Sequence, residues 1–253
     1  MRNIKLTVAY DGTNYAGWQR QSNAPTIQGM LEQSIHLMTR EHITVHGAGR
    51  TDAGVHAHGM VANFKTEVNI PCQGFVKGLN SILPADIRIT SAEHVEPEFH
   101  ARCSAKGKRY VYNLALGQVQ LPTERLYAHM VHGEFDMEAV AQSLPFLVGI
   151  HDFTSFEAAG SRDQDFDAGR GGVREIYSAA LHVRAEDPSK MQIIIAGDGF
   201  LRHMVRNIVG TLIEVGQGKR SIDQFIEVIA ARDRTKAGPT APAKGLFLHE
   251  VYY

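Results

Sequence analysis

Ile4-Lys5-Leu6-Thr7-Val8-Ala9-Tyr10 sets apolar Ile4, Leu6, Val8 and Tyr10 against Lys5, Thr7 and Ala9. That period of two is what a strand with one covered face requires. Thr26 then reads as a helix cap, and Ile27, Met30, Leu31, Ile35 and Met38 behind it follow helical spacing. Ile43 and Val45 suggest a second strand, and Met60, Ala62 and Phe64 a third. Phe75, Val76, Leu79 and Ile82 form another helical stripe that Pro84 stops, after which Ile87 and Ile89 begin a further strand. The order is β-α-β-β-α-β, the split βαβ arrangement of ferredoxin-like folds.

The rest of the chain repeats that order with embellishments. A strand is expected near Tyr110, Tyr112 and Leu114, and a helix through Met137, Val140, Ala141 and Leu144. Strands follow over Ile176 to Val183 and Met191 to Ile195. Leu201, Met204, Val205, Ile208, Val209, Leu212 and Ile213 make a regular amphipathic stripe, and Ser221 with Gln224 has the spacing of a capping box for a helix through Phe225, Ile226 and Ile229. Leu246 to Tyr253 ends the chain as a strand. The fold class is therefore α/β (α+β): two related ferredoxin-like halves, 1–105 and 106–253. The stretch 157–172, with few apolar anchors, reads as an extended surface loop, and Gly238-Pro239-Thr240-Ala241-Pro242 as a rigid turn that delivers the last strand.

A chain of 253 residues with 43% hydrophobic and 21% charged content has the make-up of a soluble globular protein able to bury a sizeable core. Met1-Arg2-Asn3 leads straight into the first strand, with no apolar run for export or membrane spanning, so the expected location is the cytoplasm. Cys72 and Cys103 are far apart and in no metal-like spacing, which gives no reason to expect a disulfide or a zinc site. The net charge of −1 argues against a strongly basic coat, so any affinity for nucleic acid must come from local clusters.

Gly49-Arg50-Thr51-Asp52-Ala53-Gly54-Val55-His56-Ala57 places an arginine and a carboxylate on a glycine-bounded turn between two strand-like runs. Glycines allow unusual dihedrals and close approach of another chain segment, and flanking strands hold such a turn still enough for chemistry. An ordinary turn in which Asp52 bonds its own backbone would satisfy the local residues equally well.

An ordered series of short motifs runs through Ala9-Tyr10-Asp11-Gly12, Tyr15-Ala16-Gly17-Trp18-Gln19, Thr26-Ile27-Gln28-Gly29 and the Gly49 to Ala57 turn. It continues through Leu79-Asn80 with Leu83-Pro84, Phe99-His100-Ala101-Arg102, Lys108-Arg109-Tyr110 and Gly149 with His151-Asp152-Phe153. Phe200 with Met204-Val205-Arg206-Asn207 and Ala241-Pro242-Ala243 before Gly245-Leu246 complete it. In these motifs the whole chain resembles the TruA-type tRNA pseudouridine synthases. The resemblance implies a continuous mixed sheet with a central cleft, a homodimer, and isomerisation of uridine to pseudouridine in the anticodon stem-loop of tRNA at positions 38, 39 and 40.

That reaction needs no redox step and no external group, so no cofactor and no metal is expected. It does need a carboxylate, a wall that retains the detached uracil, and a way to extract the nucleotide from its stack. The resemblance makes Asp52 the catalytic carboxylate; attack at ribose C1′, addition at C6 and removal of a sugar proton are all open to it. A carboxylate in a dry site needs a cationic partner to stay ionised, and Arg206, off the apolar stripe of its helix, is the expected one. Tyr110 is expected to stack on the base, with Leu246 packing on its other side, although a strand tyrosine can equally be core. Arg50 would fill the space left by the flipped nucleotide, and Arg102, Lys106, Lys108, Arg109 and Arg202 would contact phosphates.

Two other functions compete. His56 and His58 are spaced to share a strand face, and Asp52 and His100 could join them as ligands of a metal-dependent hydrolase, but no further acidic ligand stands at matching spacing. A non-catalytic RNA-binding protein is the second, since paired ferredoxin-like halves also build RNA-recognition domains.

Overall fold

A computed structural model describes residues 1–158 and 170–253. The expected 157–172 loop falls mostly on 159–169, outside the described residues. In chain order the first elements are β1 (Arg2–Tyr10), α1 (Ile27–Thr39), β2 (His46–Gly47), β3 (His56–Thr66), α2 (Cys72–Ile82) and β4 (Ile87–Val95). They are followed by β5 (Gly107–Leu116), β6 (His129–Val131), α3 (Met137–Ser143), β7 (Gly149–Asp152), β8 (Val173–Arg184), β9 (Asp187–Gly197), α4 (Met204–Gly216), α5 (Ile222–Ala231) and β10 (Leu246–Tyr252). The chain is thus mixed α/β. It divides into two compact units: Met1–Lys106 with Phe247–Tyr253, and Gly107–Leu246. All but the first residue of the last strand counts with the first unit.

In the first unit β1 lies antiparallel between β4 and β3, and β2 pairs with β3, which is the strand order of a split βαβ fold. The alternation that predicted β1 is realised in burial: Ile4, Leu6 and Val8 are fully buried on one face, beside Met60, Ala62 and Phe64 of β3. Ile27, Leu31 and Ile35 of α1 and Phe75 and Leu79 of α2 are fully buried with them, and Phe75 meets the Phe64 ring edge-on at 5.4 Å. Each such side chain contributes about 1.5–3 kcal/mol. Thr26 caps α1 as expected, its hydroxyl accepting the Gly29 N–H at 3.3 Å. α2 stops at Ile82 because Leu83, before Pro84, is driven to extended backbone (ψ 144).

The strand expected across Ile43 and Val45 shrinks to the pair His46–Gly47. Side chains from α1 take the backbone groups that a ladder would have used. Gln28 Nε2 donates to Val45 O at 3.1 Å, and Val45 N–H donates to Glu32 Oε1 at 3.1 Å. The neighbouring edge of β3 is shared, with β2 on Asn63 and Ala62 and β10 running parallel to His56 and Ala57.

In the second unit β9 pairs antiparallel with β5 and β8, and β7 extends β8 at the edge. Tyr112, Leu114, Met191, Ile193 and Ile195 are buried on one face of this sheet. β6, parallel to β5, and β7 were not foreseen. Helix α4 starts at Met204, three residues later than the stripe suggested, because His203 is left-handed (φ 62, ψ 0) and leaves Leu201 and Arg202 outside. α5 carries both halves of the Ser221–Gln224 capping box. Among the described residues no helix is long and apolar enough to cross a membrane.

Candidate active site

Asp52 sits half-buried on the turn between β2 and β3, and the turn is held by the segment from Tyr10 to Gln19. Tyr10 and Thr51 share a hydroxyl hydrogen bond of 2.9 Å, and Trp18 N–H donates to Thr51 O at 3.1 Å. Gly54 N–H donates to Tyr15 O at 3.3 Å, and within the turn Val55 N–H donates to Asp52 O at 3.2 Å. Each partner lies some 30 to 40 residues upstream in the chain, yet the contacts converge on one short loop.

Backbones approach closely enough here that only glycine fits. A Cβ on Gly12 would stand 2.0 Å from Val55 O, and one on Gly17, whose φ is +96, would stand 2.5 Å from Thr51 O and 3.1 Å from the Asp52 carbonyl carbon. Trp18 in turn fills the space beside Gly47, its ring 2.4 Å from where a Cβ would be. Tyr15 closes the assembly by donating its hydroxyl to Asp86 Oδ1 at 2.7 Å. Burial, then that hydrogen bond and the charge of Asp86, push the Tyr15 hydroxyl pKa far up, so it stays a donor. The carboxylate therefore rides on a fixed loop, which is the condition for chemistry that depends on placement.

Arg50, on the same turn as Asp52, is exposed, with Nε donating to Gln19 Oε1 at 3.2 Å. Arg102 is half-buried in the bend after Phe99, where His100 Nδ1 accepts the Arg102 and Cys103 N–H groups at 3.1 and 3.3 Å. Lys106 is exposed at the end of the unit. His56 is buried against Asp11 and Gly12, and His58 lies at 4.9 Å from the Phe247 ring. Among the described residues no three histidines, cysteines or carboxylates converge as a metal site.

The second unit carries the other expected residues. Tyr110 is buried in β5, opposite Ile195, and its ring meets that of Phe200 edge-on at 5.0 Å. Lys108 and Arg109 precede it on the strand, both half-buried, and Leu246 is buried at the start of β10. Arg206 lies in the first turn of α4, its Nε donating to Ala241 O at 2.8 Å while its own carbonyl accepts the Ala241 N–H at 3.1 Å. That reciprocal pair fixes the plane of the guanidinium. Arg202 is exposed, before the helix begins.

Residues that sequence reasoning did not single out hold Arg206 in place. Asn207, fully buried, donates to Phe156 O at 2.7 Å and accepts from Thr240 Oγ1 at 2.6 Å and Arg234 Nη2 at 3.2 Å. Gly210 lets Pro239 pass so close that a Cβ would sit 1.7 Å from its carbonyl oxygen. Tyr112 donates to Pro242 O at 2.7 Å; burial pushes its hydroxyl pKa up, and the Arg206 charge pulls it back. The signal was in the sequence as the two separated runs Met204–Asn207 and Ala241–Ala243, which the fold joins.

A profile of the family described as tRNA pseudouridine synthase matches residues 6–103 and 145–253. Across its full length the chain is 48% identical to "tRNA pseudouridine synthase A 1" of Desulfotalea psychrophila. It is 45% identical to "tRNA pseudouridine synthase A" of Lacticaseibacillus casei and of Acetivibrio thermocellus, again with all of both chains covered.

Proposed function

The chain belongs to the tRNA pseudouridine synthase family, a family of isomerases, and we propose that it converts uridine to pseudouridine in the anticodon stem-loop of tRNA, at positions 38, 39 and 40, using the Asp52 carboxylate and no cofactor. The observation that carries this reading is the clamped turn. Four hydrogen bonds or backbone contacts from the Tyr10–Trp18 segment converge on Thr51, Asp52 and Gly54, a degree of fixation that an ordinary surface turn does not need.

In this reaction the bond from ribose C1′ to uracil N1 breaks, the base turns, and C1′ bonds to C5. The C5 proton is lost and N1 gains one, so nothing enters or leaves overall. Asp52 acts on the sugar or base. Arg206, its plane set by Ala241 O, is the cation that pairs with the carboxylate and orients it, and a guanidinium suits that task through paired N–H groups. Tyr110 offers the uracil an aromatic face, braced by Phe200, and Leu246 packs against the base. Arg50 occupies the gap left by the flipped nucleotide, while Arg102, Lys106, Lys108, Arg109 and Arg202 bind phosphates and so set affinity without choosing the base. The same reading has the enzyme working in the cytoplasm as a homodimer.

Incubation with unmodified tRNA transcript, without added metal or nucleotide, followed by carbodiimide treatment and primer extension, tests it. Stops are expected at the three anticodon-arm positions. Asp52→Asn is expected to bind the transcript as tightly as the wild type and to give no stops. Wild-type product from that variant rejects the proposal.

A further inference from the structure

His56 is a buried imidazole that the reaction as proposed leaves unused. Its side chain is 1% exposed, and it opens β3 directly after the turn that carries Asp52. Nδ1 faces two groups of opposite character, the Gly12 N–H at 3.1 Å and Asp11 Oδ1 at 3.1 Å. One ring nitrogen serves only one of them at a time: bare, it accepts from Gly12, and protonated, it donates to Asp11. The Gly12 N–H, fixed in its peptide plane, directs its hydrogen at Nδ1, which requires the bare form, while Asp11 Oδ1 is served by the Thr13 N–H at 3.0 Å and the Thr13 hydroxyl at 2.6 Å. Phe247 stacks on the imidazole at 4.6 Å and fixes its plane. Gly12 is also where the upstream segment presses on the Val55 carbonyl, at the exit of the turn.

We propose that His56 is a positioning residue for the isomerisation: its bare Nδ1 pins the Gly12 N–H, and through the Gly12–Val55 contact it fixes the exit of the Asp52 turn. The inference rests on the reading of Asp52 as the catalytic carboxylate. A carboxylate displaced by about 1 Å loses about 100-fold in rate while substrate affinity, set elsewhere, stays the same.

Two polar variants of similar volume separate this role from simple core filling. His56→Asn puts an amide oxygen where Nδ1 stands, whereas His56→Gln reaches the Nε2 position and leaves Gly12 without its acceptor. Single-turnover rates on unmodified tRNA and filter-binding affinity are measured for both, with Asp52→Asn alongside. The glutamine variant is expected to lose about 100-fold in rate at unchanged affinity. The asparagine variant is expected to stay within roughly tenfold of wild type, the most that one neutral hydrogen bond is usually worth. Equal rates in the two variants, whether high or low, or a loss that appears in affinity, overturn the positioning role. Activity in Asp52→Asn defeats the underlying reading instead, whatever the His56 variants do.

Discussion

Gly17→Ala strikes the loop that carries the carboxylate without touching the carboxylate. At φ +96 an alanine is strained, and its Cβ would lie 2.5 Å from Thr51 O and 3.1 Å from the Asp52 carbonyl carbon. The strain costs about 1–2 kcal/mol and the overlap, if the turn holds, about 1–3 more, so the total is roughly 2–5 kcal/mol. If the turn yields instead, Thr51 O must retreat by about 0.9 Å to reach ordinary contact, and a shift of that size at a reacting group costs about 100-fold in rate. Gly218→Ala supplies the comparison: its φ is +65 but nothing lies within 4 Å of the new Cβ, so only the conformational penalty of about 1–2 kcal/mol applies. Urea unfolding and single-turnover pseudouridine formation are measured on both variants. Gly218→Ala is expected to lose a little stability and no activity, and Gly17→Ala to lose clearly more of both. Equal unfolding midpoints with wild-type rates in both would refute the claim that the Tyr10–Trp18 segment sets the turn.

Arg206→Lys keeps the charge but cannot replace the Nε–H bond to Ala241 O, so stability is expected to fall by about 1.5–3 kcal/mol and turnover by far more, with the fold intact by circular dichroism; near wild-type turnover would reject the assigned role. Mild acid is expected to destabilise the protein through its histidines. Burial, aided by neighbouring His249, His46 and Lys244 respectively, holds the pKa values of His58, His100 and His129 below 6.5. The unfolded chain then takes up protons first on acidification, so this stability is full above the unfolded value of 6.5 and is lost as pH falls towards the folded values. A urea midpoint that rises between about pH 7.5 and pH 5.5 would contradict that sign.

Local codes made most of the fold legible. The alternation of Ile4 to Tyr10, the Thr26 cap and the Ser221–Gln224 box each act within a few residues, and the structure contains all three. Failures came where side-chain spacing is not what decides the backbone. Ile43 and Val45 have strand-forming side chains, but Gln28 and Glu32 take the Val45 backbone. Leu201 continues the α4 stripe by spacing, but the left-handed His203 ends the helix short of it. Four-residue β7 and three-residue β6 are too short for periodicity to register.

The candidate site follows the same division, and the reason is physical. Residue types on the 49–57 turn announce a carboxylate and an arginine, but what makes such a turn rigid is written some 30 to 40 residues away, as Gly12, Tyr15, Gly17 and Trp18. A glycine leaves no periodic trace; its meaning here is the space it denies to a Cβ beside Val55 and Thr51. The same logic recurs in the second unit, where Gly210 and Asn207 on α4 admit and bind the strap from Gly238 to Ala241 that aims Arg206. On the proposed reading the isomerisation relies on placement and local charge to lower its barrier. Backbone-to-backbone contacts made possible by glycine contribute to that placement. For that reason the glycines of the paired motifs are expected to be as necessary to the chemistry as the charged residues they place.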